Sequence, residues 1–217
     1  MLFVVSMLMK AKNDVTKFLG IPVDCYKPEM IKKLKEKGFQ YNSQLDCMTG
    51  EFNGRDVQIY IVTNNNKVWR IMVADTNMTD ETDIKIRFNK LCSQFMKNEK
   101  YMPLSSECEI PEEEDISYEM IVNNKRYEAV FYQKINNPDT IALNKEIENH
   151  LLKKFTKTQL SNPSELELVQ IGLEKMKYMY SCLQMKSVWF TIHEKYGKYE
   201  ILLYYDNEYN HSDGEDL

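Results

Sequence analysis

Glycine, proline and histidine are scarce in this sequence, and basic residues do not outnumber acidic ones. The 217 residues include 7 Gly, 6 Pro and 3 His, and the formal net charge is −5 at pH 7. The shortage of Gly and Pro argues against long disordered linkers. A nucleic-acid partner needs a basic surface that neutralises phosphates, so the negative charge argues against one.

Several short catalytic motifs are also missing. The sequence has no glycine-rich phosphate-binding loop, no G-x-S-x-G nucleophile motif and no H-E-x-x-H zinc motif. The acidic residues between 107 and 115 lack the fixed spacing and the turn glycine of a calcium loop. These absences argue against the common hydrolases, and no metal ion or cofactor is expected.

The five cysteines form no C-x-x-C pair and no cysteine–histidine spacing typical of zinc. Cys92 and Cys182 fall on apolar faces of predicted helices, which favours their interpretation as buried small hydrophobic residues. Cys25 and Cys47 flank the first predicted helix and strand. A disulfide between them is the alternative, although an odd number of cysteines does not favour it.

The first nine residues, MLFVVSMLM, are almost all apolar. This length suits the apolar region of a secretory leader and is too short to span a bilayer, so no integral membrane span is predicted. Lys10 and Lys12 follow the apolar run, whereas a leader usually places basic residues before it. We interpret residues 1–12 as a leader or an atypical signal remnant, and the alternative is a first strand or helix packed on the core. A leader implies a periplasmic or secreted protein; without one the protein is expected to be cytoplasmic.

Apolar periodicity predicts a helix followed by a β-hairpin, in a pattern that recurs three times. The predicted helices lie at about residues 28–37, 80–98, 147–155 and 163–180. The predicted hairpins span about residues 57–73, 118–131 and 188–203, with asparagine or Tyr-Gly turns. Asn162 is the predicted cap of the last helix. The apolar face of that helix consists of Leu166, Val169, Leu173, Met176 and Tyr180.

This pattern predicts an α+β fold of repeated helix-plus-hairpin units, whose strands form an antiparallel sheet with helices packed on one face. Residues 13–206 are predicted to form a single domain, with two subdomains at 13–104 and 105–206 as the alternative. Residues 207–217 are predicted to form an acidic flexible tail. The predicted hairpins IVTNNNKVWRIMV and MIVNNKRYEAVF share one pattern: an apolar strand, an Asn run, a basic residue, an aromatic residue and an apolar strand. Internal duplication and independent similarity are alternative explanations for it.

Strand alternation predicts which side chains lie on the sheet face away from the helices. It places Trp69 in the core with Ile71, and Trp189 on the opposite face. The exposed face is predicted to carry Tyr60, Arg70, Glu119, Glu128, Glu200 and Tyr204. Tyr and Trp contribute much of the binding energy at protein interfaces. The candidate binding residues are therefore Tyr60, Arg70, Trp189 and Tyr204.

The order FLGIPVD, Lys-rich helix, KGF, GEFNGRDVQIYIV and NNNKVWRIMV resembles a group of uncharacterised bacterial cell-envelope proteins. These proteins open with a leader and a Phe-x-Gly-Ile-Pro-φ-Asp segment, where φ is apolar, and the resemblance covers residues 15–206. It implies a helix-then-strands layout similar to folds of the β-lactamase-inhibitor-protein type, and it carries over no catalytic residues. The family pattern continues with Gly-Thr or Gly-Ser, where this chain has Cys25-Tyr26. Pro22 disfavours a central strand, so the opening segment is predicted to be an edge strand or an extended lead-in.

Two functions agree with these observations. The first is a non-catalytic cell-envelope protein that binds a protein or a small ligand with an exposed aromatic sheet face. The alternative is a hydrolase-like enzyme with a cleft between the two halves, which would place His193 or His150 in a pocket beside a carboxylate or a cysteine. The missing catalytic motifs favour the non-catalytic role.

Overall fold

The computed structural model of the protein describes residues 14–134 and 140–211. The interpreted leader at residues 1–12 and the tail residues 212–217 lie outside the described residues. Within the described residues the chain forms six helices, an eight-stranded antiparallel sheet and a two-stranded sheet, which confirms the predicted α+β class. No helix in these ranges has both the length and the apolar character needed to cross a membrane.

The first half of the chain starts with a short hairpin and continues with one helix and four strands. In order these are β1 (Lys17–Phe18), β2 (Ile21–Pro22), α1 (Lys27–Glu36), β3 (Gln40–Asn42), β4 (Cys47–Phe52), β5 (Arg55–Asn64) and β6 (Lys67–Asp75). The second half follows with α2 (Glu81–Lys97), β7 (Tyr101–Pro103), α3 (Ile116–Val122), β8 (Glu128–Gln133), α4 (Thr140–Leu151), α5 (Lys157–Ser161), α6 (Glu165–Gln184), β9 (Ser187–Lys195) and β10 (Lys198–Asp206). A 3-10 turn over Glu208–Asn210 follows β10.

The large sheet joins the two halves at its centre. Its strand order is β3-β4-β5-β6-β10-β9-β8-β7. Strands β3 to β6 form one half of the sheet and β7 to β10 form the other, and in each half the strands run in chain order from the edge to the centre. β6 and β10 are adjacent and antiparallel, with Val73 opposite Leu203. Each set follows one helix, α1 or α2, and the second set carries insertions over residues 104–127 and 134–186. The described chain therefore contains one helix-plus-four-strand arrangement twice.

Helices α1 and α2 cover one face of this sheet with a continuous core. Met30 and Leu34 of α1, and Phe88 of α2, are fully buried against inward-facing strand residues. The Phe190 ring of β9 lies 5.0 Å from the Phe88 ring and 6.1 Å from the Phe131 ring. Burial of this many large apolar side chains is the main favourable contribution to folding.

The predicted tight turns of the first and third hairpins are confirmed. Asn65 and Asn66 between β5 and β6 have φ angles of 48° and 64°, in the left-handed region that a two-residue hairpin turn needs. Tyr196 and Gly197 between β9 and β10 have φ angles of 56° and 71°. These turns fix the register of both long hairpins, because the flanking strands pair directly next to them.

The opening segment FLGIPVD packs on the core, as predicted. β1 and β2 form a hairpin around Leu19 and Gly20, and the Phe18 and Val23 side chains are fully buried. The backbone N–H of Val23 donates to the carbonyl of Thr16 at 2.8 Å. The segment thus covers the core next to the sheet without joining the sheet.

The prediction of a strand over residues 118–122 is wrong. This stretch is helix α3, whose N-terminus is capped by Asp115 through a 2.8 Å hydrogen bond from the Tyr118 N–H. Ile116 is buried and Met120 packs partly against the core, which is the helical spacing of four residues. Glu119 therefore lies on a helix and not on the sheet. β8 pairs with β7 and β9, and not with residues 118–122 as predicted.

Two further boundaries differ from the prediction. Ser164, not Asn162, caps α6, and its hydroxyl and the Glu167 side chain form a capping box. Residues 207–211, which the sequence assigns to the flexible tail, are held on the core. The Asn207 side chain is fully buried and donates to the Val23 carbonyl at 2.6 Å, and Asn210 donates to Asp24 at 2.6 Å.

All five cysteines lie in the described ranges and are free thiols, so the Cys25–Cys47 disulfide is not formed. The expectation of a buried Cys92 is confirmed, with 0% of the residue exposed, whereas Cys182 is only half-buried. Cys47, with 1% exposed, is the other inaccessible thiol. Burial raises the pKa of the Cys47 and Cys92 thiols above their ordinary value, which suppresses the reactive thiolate at neutral pH.

We therefore expect maleimide at pH 7 to modify no more than three thiols in the folded protein. Cys47 and Cys92 react only after unfolding, because the folded chain both shields the two sulfur atoms and keeps them protonated. Intact-protein mass spectrometry counts the adducts, and peptide mapping locates them. The fully denatured protein, with five adducts, is the control. Modification of Cys47 or Cys92 at the denatured-state rate would contradict the expectation.

Candidate functional site

The candidate site is the face of the large sheet opposite α1 and α2. Side chains alternate along a strand, so every second residue of β5, β6, β10, β9 and β8 lies on this face. Cross-strand pairing aligns five partly exposed side chains in one row across these adjacent strands. The row, called the aromatic row below, consists of Tyr60, Met72, Tyr204, Trp189 and Val130.

Asp206 holds the Arg70 and Trp189 side chains in place. Its side chain is 2% exposed and accepts hydrogen bonds from Arg70 Nε at 2.6 Å and Arg70 Nη2 at 2.7 Å. It also accepts a bond from Trp189 Nε1 at 2.8 Å. A two-pronged guanidinium–carboxylate pair has a fixed geometry, so this buried carboxylate orients both Arg70 and the indole of Trp189.

The aromatic rings form a stacked platform at the centre of the row. The Trp189 and Tyr204 rings are 4.1 Å apart at an interplanar angle of 17°. The Arg70 guanidinium lies 4.8 Å from the Tyr204 ring centroid and 4.3 Å from that of Trp69. Burial raises the pKa of the Tyr204 hydroxyl, so this residue stays neutral at physiological pH. The stacking holds the two rings in place, so these side chains lose little conformational entropy when a ligand binds.

The prediction that Trp69 is buried with Ile71 is wrong because a β-bulge interrupts the alternation. Val62 pairs with Arg70, whereas the next residue of β5, Thr63, pairs with Val68. Trp69 is the extra residue of the bulge, so Val68 takes the core position and the indole turns outward. Its ring packs 4.5 Å from that of His211.

A groove of about 440 Å³ lies beside the aromatic row, between α3 and strands β9 and β10. Apolar atoms of α3 form one wall, and the strands form the floor. The groove is lined by Met120, Ile121, Arg126, Glu128, Trp189, Thr191, His193, Leu202 and Tyr204, among others. The groove combines apolar side chains, such as Met120 and Leu202, with charged ones, such as Glu128, and this combination suits an amphipathic ligand.

The structure brings three of the four predicted binding residues together. Arg70 and Trp189 donate to Asp206, and the Tyr204 ring stacks on Trp189. Tyr60 lies at the far end of the row, where its hydroxyl donates to Gln58 at 2.7 Å. Glu128 and Glu200 also lie on strands of this face. Sequence reasoning missed Asp206, because its 136-residue separation from Arg70 leaves no local signal.

The two histidines of the enzymatic alternative occupy different places. His193 lines the groove with Nδ1 2.9 Å from Glu200 Oε1, so it does lie beside a carboxylate. The nearby Thr191 hydroxyl is engaged, because it donates to the Tyr127 carbonyl at 2.9 Å. His150 stacks on Tyr178 at 4.7 Å, and its Nε2 lies 3.8 Å from Glu174.

Two larger cavities, of about 640 Å³ and 960 Å³, lie elsewhere near Tyr101 and Tyr205. Neither His193 nor His150 lines them, so no described cavity of that size contains the predicted catalytic histidine. Within residues 14–134 and 140–211, no group of three or more His, Cys, Asp or Glu side chains is arranged to hold a metal ion.

Comparison of the chain with protein-family models, with curated proteins and with solved structures finds no significant match.

Proposed function

We propose that the protein is a non-catalytic binding protein of the cell envelope, and that the aromatic row and its groove hold the apolar side of an amphipathic partner segment. The observation that supports binding is the alignment of Tyr60, Met72, Tyr204, Trp189 and Val130 on a face that α1 and α2 leave open. The cell-envelope location is supported by the sequence resemblance.

The chemistry of the face favours a protein partner with both apolar and basic residues. Trp189 and Tyr204 offer a large contact area in a fixed orientation, as hot-spot residues at interfaces do. Two carboxylates, Glu128 and Glu194, line the groove against one guanidinium, Arg126, and Glu200 lies beside it through its contact with His193. Basic residues of the partner would lie opposite these carboxylates, while its apolar residues cover the row.

Replacing Tyr60 and Tyr204 together by Ala is expected to weaken partner binding by about tenfold to a hundredfold, because each ring contributes contact area to the row. Pull-down from an envelope extract of the source organism, with mass spectrometry, identifies the proteins that wild type retains. Calorimetric titration with each such protein then measures the affinity of the variants.

The matched control is Tyr196→Ala, since this residue is 92% exposed at the tip of the β9–β10 turn and outside the row. A partner that wild type and Tyr196→Ala retain equally, and that the double variant loses, supports the proposal. Equal retention by all three proteins contradicts it, provided that circular dichroism shows the double variant to be folded.

A second candidate function is general-base catalysis in the groove, and the His193–Glu200 pair is the observation that favours it. Glu200 would orient the imidazole, as a carboxylate does in known catalytic pairs. A His193-dependent hydrolysis of p-nitrophenyl esters would support this function. Identical rates for wild type and His193→Ala would exclude it for ester substrates.

A further inference from the structure

Helix α6 carries a row of apolar side chains that the described fold leaves exposed. The row, called the α6 stripe, consists of Leu166, Val169, Leu173, Met176, Tyr180 and Leu183. The spacing alternates between three and four residues, which is the heptad pattern of a helix that pairs with another helix. The first five residues are between 40% and 70% exposed.

The side of α6 away from Leu173 contacts α4, and Tyr180 at the C-terminal end of the stripe contacts β8, with its ring 5.9 Å from that of Tyr132. Tyr178 stacks on His150 of α4 at 4.7 Å, and its hydroxyl donates to Glu146 at 3.4 Å. Glu174 accepts a hydrogen bond from Lys154 at 2.5 Å. The stripe is therefore outward-facing from Leu166 to Met176, and its C-terminal end lies against the sheet.

An exposed apolar surface of this kind is often a binding site. The exposed fractions leave on the order of 500 Å² of apolar surface in one strip, which is the size of the largest and often functional patch on a soluble monomer. With flanking side chains, two such strips would bury about 1,200–1,600 Å² in total, the size of a stable protein interface. The strip is therefore large enough to form a dimer with a copy of itself.

We propose that α6 is a dimerisation helix and that the α6 stripe packs antiparallel against the α6 stripe of a second copy, about a two-fold axis near Leu173. In this arrangement Leu173 meets the Leu173 side chain of the second copy. Leu166 lies opposite Tyr180 of the second copy at each end, so a smaller side chain meets a larger one. A two-fold contact of this kind is closed and produces a dimer, not a filament.

Gly172 is a second, independent feature that fits this arrangement. A glycine inside an exposed helix destabilises that helix relative to alanine, and no atom lies within 4 Å of the place where its Cβ would be. The described fold therefore gives no packing reason for glycine here. Next to the two-fold axis, Gly172 faces its own copy and lets the two backbones approach closely.

The polar residues beside the α6 stripe do not oppose the pairing. With the axis at Leu173, Gln170 lies opposite Met176 of the second copy and Lys177 lies opposite Val169. Glu165 lies opposite Ser181 of the second copy. No like charges meet along either flank, so the arrangement carries no electrostatic penalty.

The test is sedimentation velocity of the full chain over a range of micromolar concentrations. Wild type is expected to sediment as a dimer, and Leu173→Glu is expected to raise the dimer dissociation constant about a hundredfold or more, because the change places two carboxylates at the axis. The matched control is Leu168→Glu, since Leu168 is 60% exposed on the same helix but off the stripe. This control is expected to remain a dimer.

Disulfide trapping gives a second measurement that does not depend on destabilising the helix. Leu173→Cys is expected to form a covalent dimer under mild oxidation, whereas Leu168→Cys is expected to give no more than wild type. A wild type that stays monomeric throughout, or equal dissociation of the Leu168→Glu and Leu173→Glu variants, overturns the proposal. A monomer that dimerises only after deletion of residues 1–12 also overturns it, because it would show that this segment covers the stripe.

Discussion

Replacement of Arg70 by Met is expected to lower the free energy of unfolding by about 3–5 kcal/mol. The reason is that the Asp206 carboxylate, 2% exposed, would lose both guanidinium hydrogen bonds and stay buried with one remaining side-chain donor, Trp189 Nε1. Methionine keeps much of the packing volume above Tyr204 and Trp69, so the loss reports the unpaired carboxylate. Urea unfolding followed by circular dichroism measures it.

Arg55→Met is the matched control. Arg55 is exposed, so its replacement is expected to change the free energy of unfolding by less than about 0.5 kcal/mol. The double variant Arg70→Met with Asp206→Asn is expected to recover part of the lost stability, since no buried charge remains unpaired. A loss below about 1 kcal/mol for Arg70→Met would show that the pair is solvated like an ordinary surface salt bridge.

Replacement of Phe190 by Ala is expected to remove about 3–5 kcal/mol of stability through lost burial and the cavity left behind. The Phe190 side chain is fully buried, and its ring touches those of Phe88, Phe95 and Phe131 from α2 and β8. For a domain of this size the loss corresponds to a fall in Tm of about 6–20 °C.

Differential scanning calorimetry of Phe190→Ala checks this expectation, with Tyr196→Ala as the control. Tyr196 is 92% exposed, so its truncation should leave Tm within about 2 °C of wild type. A similar Tm for both variants would mean that the aromatic cluster adjusts to fill the cavity, contrary to the close packing seen between β9 and α2.

The parts of the fold that follow from local rules could be predicted from the sequence. The hairpins β5–β6 and β9–β10 combine strict alternation with turn residues that accept positive φ angles, and both are present. The α3 segment could not be assigned in this way, because seven residues are too few to separate a period of 2 from a period of 3.6.

Features that depend on distant parts of the chain were not accessible to this reasoning. Trp69 turns outward because of a bulge that exists only in the pairing of β6 with β5. The role of Asp206 depends on β10 lying next to β6, which no local pattern specifies. The α6 stripe shows a further limit, because a helical period identifies an apolar face without identifying what that face contacts.

The central position of β10 also determines the order in which the protein can be completed during synthesis. Strand β6 leaves the ribosome long before β10, which is the last strand of the sheet. One edge of β6 stays unpaired until β10 is added, because β10 is its partner on that side. Until then the first four strands present unpaired backbone groups that can pair with another chain. We therefore expect the incomplete chain to be prone to aggregation until β10 pairs with β6.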